Sequence, residues 1–129
     1  MMSPFSPIPN YILGTGLCFI GGLGFVKPMA VYDAFGIQRP VTAEAEAFSY
    51  AKAGRDFATG LMFIMLETYQ EGSGNEDAVT LLWATTALVG VVDWWVVKSM
   101  GGKDLKHKAV VHLSSGAVCA AFAAWRLLY

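Results

Sequence analysis

Four ionisable residues stand inside or at the edge of apolar stretches: Arg55 and Asp56, in a Lys-Ala-Gly-Arg-Asp run that starts at Lys52, then Asp93 and His112. An ionisable group at membrane depth is expensive and marks a functional site by default. Two carboxylates with an arginine permit acid–base chemistry without a cofactor, because surroundings that separate their proton affinities make one a base and the other a protonated acid. In that chemistry Asp93 is the base toward water or a substrate hydroxyl and Asp56 the acid for a departing oxygen. Arg55 orients them and His112 carries a proton, with the roles of Asp56 and Asp93 open to exchange. Other chemistries lack their parts. The sequence has no serine nucleophile elbow, no cysteine–histidine pair at a family spacing, no glycine-rich phosphate loop and no His/Cys metal cluster. Its two histidines, His107 and His112, lie too close on one segment to be apposed haem ligands. Neither a cofactor nor a metal is expected.

The elements that must position these groups are helices. Hydrophobic residues make up 55% of the 129-residue chain and charged residues 15%, with a mean hydropathy of +0.48, against roughly a quarter charged in an ordinary soluble domain. Apolar runs at 11–26, 57–66, 78–92 and 109–125 predict helices at about 10–26, 43–69, 78–99 and 107–128. The expected fold class is all-α, an integral membrane four-helix bundle, with residues 1–129 forming one domain. Pro4, Pro7 and Pro9 fit an extended lead-in to helix one, and the lack of Lys or Arg before it argues that it is retained rather than cleaved. The long connection 27–43 is expected to cap a site, with Tyr32, Tyr50 and Glu46 at its rim. Thr42 predicts the N-cap of helix two, and 70–77 an exposed acidic turn.

Small residues predict the interior faces: Gly14, Cys18, Gly21 and Gly22 on helix one; Thr86, Gly90, Asp93 and Val97 on helix three; His112, Ser115, Gly116, Cys119 and Ala123 on helix four. Cys18 and Cys119 read as packing residues. Trp94 and Trp95 suit a membrane interface. Lys27, Arg39, Lys98, Lys103, Lys106 and Lys108 occupy the first and third loops, whereas the second loop is acidic and the C-terminus carries Arg126. The positive-inside rule then makes the basic loops cytosolic and both termini lumenal. At 1.5 Å per residue, Asp56 lies about 16 Å below the lumenal end of its helix, and Asp93 and His112 about 22 Å below theirs, all in the cytosolic half. Net charge of −1 without a basic cluster carrying interleaved aromatics sets nucleic-acid binding aside.

The glycine-rich first helix, the Ala-Gly-Arg-Asp motif at 53–56 followed by Gly60, Asp93 and His112 together resemble the DUF4267 family, small four-helix membrane proteins of filamentous fungi within the wider DoxX-like set. That resemblance implies a four-helix fold and a tailoring role on a lipophilic polyketide or terpenoid intermediate. The expected activity is opening of an epoxide by hydrolysis or cyclisation in the endoplasmic reticulum. Limonene-type epoxide hydrolases use an Asp–Arg–Asp set on an unrelated soluble fold, a chemical analogy only. Tyr50, Tyr32 and Trp94 are the expected substrate contacts; the partners are the lipophilic substrate and the bilayer, with a homo-oligomer left open. Two rival readings stand beside the enzyme. One is a non-catalytic membrane subunit or lipophile-binding protein, with Asp93 the structural counter-ion of Arg55. The other is a proton-coupled transporter using Asp and His as a relay.

Overall fold

The computed structural model describes residues 5–39, 46–69 and 74–129, all helical or connecting. Among these the element order is α1 (Ile8–Val26), α2 (Pro28–Phe35), α3 (Glu46–Thr68), α4 (Gly74–Met100) and α5 (Lys108–Leu128). The four expected helices are α1, α3, α4 and α5, and α2 is an addition the sequence reading missed. It lies in the stretch read as a long connection. Pro28, which ends α1, is also a favourable first helical residue, and Gly36, at φ +100°, stops α2 just after Phe35. A proline at the start and a glycine just past the end were the available signal.

Other boundaries shift for similar reasons. α1 begins at Ile8 with Pro9 in its first turn, so that proline is helical rather than part of an extended lead-in. α4 begins at Gly74, four residues before the expected start, and takes Asn75, Glu76 and Asp77 out of the acidic turn into a helical first turn, where the dipole favours acids. Asn75 Nδ2 donates to the carbonyl of Tyr69 at 2.8 Å, covering an end carbonyl beyond α3. The expected N-cap Thr42, residues 43–45 of helix two and residues 70–73 of the acidic turn lie outside the described residues.

Three helices among the described residues are long and apolar enough to cross a membrane: α1 (Ile8–Val26), Asn75–Met100 of α4, and α5 (Lys108–Leu128). Four such spans were expected. α3 is long enough at 23 residues but carries Lys52, Arg55, Asp56 and Glu67.

The chain divides into two compact units, and the boundaries fall inside α2, between Tyr32 and Asp33, in the following loop, and at the start of α4. In the first unit α1 and α3 run antiparallel. They touch at Gly14, where an added Cβ would lie 2.9 Å from the Gly60 carbonyl oxygen, and at Gly21, where it would lie 2.6 Å from the Phe57 nitrogen. The small-residue stripe of α1 is therefore real but runs through Gly14, Gly21 and Gly24, whereas Gly22 faces open space. Ser49 Oγ donates to the Pro28 carbonyl at 2.7 Å, and the Tyr32 and Phe48 rings sit 5.5 Å apart.

In the second unit α4 and α5 run antiparallel and cross where Gly90 faces Gly116, with 2.7 Å between an added Gly90 Cβ and the Gly116 Cα. Trp83 stacks on Phe122 at 4.7 Å, and Phe35, Val97 and Ala109 form a buried cluster. The buried face of α5 is small, Ala109, Gly116, Cys119 and Ala123, while Val110, Val111, Val118 and Leu127 are exposed. Large apolar residues outside and small ones inside is the arrangement that suits a lipid surround, where helices associate by close backbone approach. The expected faces need two corrections. Ala87 rather than Thr86 is buried on α4, and Ser115 is exposed on α5, donating to the His112 carbonyl at 3.0 Å.

Candidate functional site

In the first unit the Lys-Ala-Gly-Arg-Asp run forms one turn of α3, which places Lys52 and Asp56 four residues apart on one face. Lys52 Nζ donates to Asp56 Oδ2, and Arg55 reaches Asp56 Oδ1 with both Nε and Nη2 at 3.2 Å. Asp56 is buried, Lys52 nearly so, and Arg55 more than a third exposed. Each oxygen of Asp56 thus accepts from a cation. Thr59 Oγ1 donates to the Arg55 carbonyl at 2.8 Å, an intrahelical bond that satisfies its hydroxyl.

In the second unit Asp93 sits on α4 seven residues before its end, and His112 on α5 four residues after its start, so the antiparallel pairing brings them to one level. His112 Nδ1 stands 4.0 Å from Asp93 Oδ2. Its Nε2 donates to the Phe35 carbonyl at 2.8 Å, and the two rings lie 4.8 Å apart. Asp93 is buried and the His112 side chain 16% exposed. The pair stands beyond hydrogen-bond distance at 4.0 Å, so a proton would pass between the carboxylate and the imidazole through a bridging group or after a small approach, and the far nitrogen of the ring is already committed.

Arg55 with Asp56, and Asp93 with His112, are thus each brought together, within different units. Tyr32 is buried against Phe48; Tyr50 is exposed and stacks on Phe25 at 6.4 Å. Trp94 packs against the Phe35, Val97 and Ala109 cluster with the Lys98 ammonium 4.8 Å above its ring, whereas Trp95 is exposed. Among the described residues no group of three or more His, Cys, Asp or Glu could hold a metal ion.

The sequence reading passed over two further polar pairs. Asn10 Nδ2 donates to Glu67 Oε1, both buried, between α1 and α3. Arg126 Nε donates to Thr80 Oγ1 at 3.1 Å, both buried, between α5 and α4. Arg126 was read as a loop charge of the C-terminus, yet the spacing His112, Gly116, Cys119, Ala123, Arg126 continues the interior stripe by one more step. That continuation was the signal that could have found it.

These features define an all-helical protein with three helices suited to a membrane and buried polar pairs between its helices. Residues 14–126 match the family model described as Domain of unknown function (DUF4267), and the chain belongs to that family. No curated protein matches the chain, and no solved structure does.

Proposed function

We propose that this chain is an integral membrane enzyme that opens an epoxide in a lipophilic polyketide or terpenoid intermediate, by hydrolysis or cyclisation, using acid–base catalysis without a cofactor. The observation that supports the reading most directly is the buried Asp93 beside His112. For cyclisation, the Asp93 carboxylate takes the proton of a substrate hydroxyl. That oxygen bonds to an epoxide carbon, the carbon–oxygen bond of the ring breaks, and the departing oxygen takes a proton from doubly protonated His112. Transfer from the Asp93 carboxyl to His112 Nδ1 restores the start. For hydrolysis, water replaces the hydroxyl.

Two residues compete for the acid role. Asp56 has both oxygens engaged, by Lys52 and Arg55, and would have to give up a pair to donate. His112 has a free path through Nδ1, so the geometry favours it, with Arg55 and Asp56 as the charged anchor of α3. Tyr32, Tyr50 and Trp94 remain the proposed substrate contacts. The rest of the reading is a filamentous-fungal protein of the DoxX-like set, with α1, α3, α4 and α5 as a four-helix bundle in the endoplasmic reticulum and both termini lumenal.

Microsomes carrying wild type or Asp93→Asn, given epoxide-bearing intermediates, test the activity: wild type turns one over and the variant does not. If wild type leaves all of them unchanged, the enzyme reading falls. A glycosylation tag at the C-terminus tests orientation and should be modified; an unmodified tag with cytosolic protease sensitivity reverses the topology.

The doubly engaged Asp56 also favours a second reading, a non-catalytic membrane subunit or lipophile-binding protein held by ion pairs. Under it, Asp93→Glu, which keeps the charge, would leave the biological output intact, whereas an acid–base site would not tolerate the shifted carboxylate.

A further inference from the structure

We infer that residues 33–38, the last turn of α2 and the turn at Gly36, are a positioning strap that fixes the tautomer of His112 and makes it a terminus for protons rather than a link in a relay. This rests on the Asp93–His112 reading and adds a residue to it, Phe35, which acts through its main-chain carbonyl.

A carbonyl oxygen only accepts hydrogen bonds, so Nε2 of His112, 2.8 Å from the Phe35 oxygen, carries the hydrogen. The opposite tautomer would set the Nε2 lone pair against the carbonyl lone pairs. Nδ1 is then the one ring nitrogen that can gain or lose a proton, and it faces Asp93 Oδ2. A proton taken from the Asp93 side returns to that side, because an amide oxygen does not accept the Nε2 proton as a base would. Acid–base catalysis on one substrate needs this. A transport relay needs the reverse, a histidine that receives at one nitrogen and releases at the other.

The carbonyl is available because of where α2 stops. The last four carbonyls of a helix have no intrahelical partner. α5 supplies two partners one turn apart: Lys108 Nζ donates to the Asp33 carbonyl and His112 Nε2 to that of Phe35. Both are donors at a helix C-terminus, where the end carbonyls lack partners, and the lysine adds a positive charge at the end that favours it. The strap is held closely. Gly36 turns at φ +100°, where a Cβ would stand 3.0 Å from Val97 Cγ1 and from Lys108 Cβ. A Cβ on Gly101 would stand 2.8 Å from the Gly36 oxygen. The Phe35 ring is buried with Val97 and Ala109, which fixes its main chain beside α5.

The test reads tautomers directly and does not need turnover. Full-length protein labelled with 15N-histidine, reconstituted in lipid nanodiscs, gives ring-nitrogen spectra; His107→Gln assigns the remaining signals to His112, since the chain has two histidines. In its neutral form His112 should show Nε2 as the protonated, pyrrole-type nitrogen and Nδ1 as the pyridine type. Phe35→Leu removes the ring and keeps the carbonyl, so this pattern should persist. Gly36→Ala strains the turn and should give a mixture of tautomers. Wild type with Nδ1 protonated, or an even mixture, overturns the proposal, as does loss of the pattern in Phe35→Leu. If Gly36→Ala does not fold, wild type and Phe35→Leu decide the question. A fixed Nε2–H tautomer together with a fully active Asp93→Asn would leave the strap standing and remove the catalytic reading.

Discussion

Both units cross two antiparallel helices through glycine, Gly14 against Gly60 in one and Gly90 against Gly116 in the other, and both bury a carboxylate on one helix of the pair. They differ in what stands beside it. Asp56 meets Lys52 and Arg55, which take up one oxygen each. Asp93 has the His112 imidazole at 4.0 Å, a ring that can both donate and accept a hydrogen bond. The same side chain in nearly the same scaffold thus has two cations against it in one unit and an imidazole within 4.0 Å in the other, and under the proposed reading only the second exchanges protons. Neighbours, more than burial, decide what a buried carboxylate does.

The sharpest way to break that comparison is to neutralise each carboxylate in turn. Asp93→Asn keeps size and shape, and turnover should fall by about 10²–10⁴-fold with thermal stability nearly unchanged, measured on microsomal protein and by melting in detergent. Asp56→Asn should do the reverse. It removes the charge that Lys52 and Arg55 both meet in a mostly buried setting, and breaking such a pair costs about 3–5 kcal/mol, which would show as a large fall in melting temperature. Equal behaviour of the two variants would abolish the distinction.

A smaller effect separates two adjacent glycines of α1. Gly21→Ala puts a Cβ 2.6 Å from the Phe57 nitrogen and 2.7 Å from the Ala53 oxygen, so the α1/α3 crossing must open, at about 1–3 kcal/mol for overpacking. Gly22→Ala meets nothing and should stabilise by up to about 1 kcal/mol through helix propensity. Paired melting curves check the sign of each. The smallest effect is expected at Arg55. More than a third of its side chain is exposed, and Arg55→Lys keeps a cation near Asp56, so a change under about 1 kcal/mol is expected from the same measurement. A loss as large as that of Asp56→Asn would give Arg55 a structural role beyond its contact with Asp56.

How much of this was legible in the residues varies with range. The helical class, most of the glycine stripes and the four-residue spacing of Lys52 and Asp56 are local, carried within one or two turns. α2 escaped because Pro28 was weighed as a stop and not as a start. The corrected faces, Gly24 for Gly22 and Ala87 for Thr86, differ by one or two positions, and Ser115 is exposed beside the buried Gly116, the slack that a helical repeat of 3.6 leaves when small residues are frequent. Arg126 was hidden by its nearness to the end of the chain.

The sequence by itself determined that this protein is helical, that its charges are few and placed among apolar residues, and that Asp93 and His112 are candidates for chemistry, because composition and periodicity are properties of a segment. Only the tertiary structure decided that His112 meets Asp93 and the Phe35 carbonyl, residues 19 and 77 positions away along the chain. No periodicity connects such positions. The antiparallel pairing of α4 with α5 and the left-handed turn at Gly36 bring them together, and both depend on backbone contacts that a single helix cannot make alone.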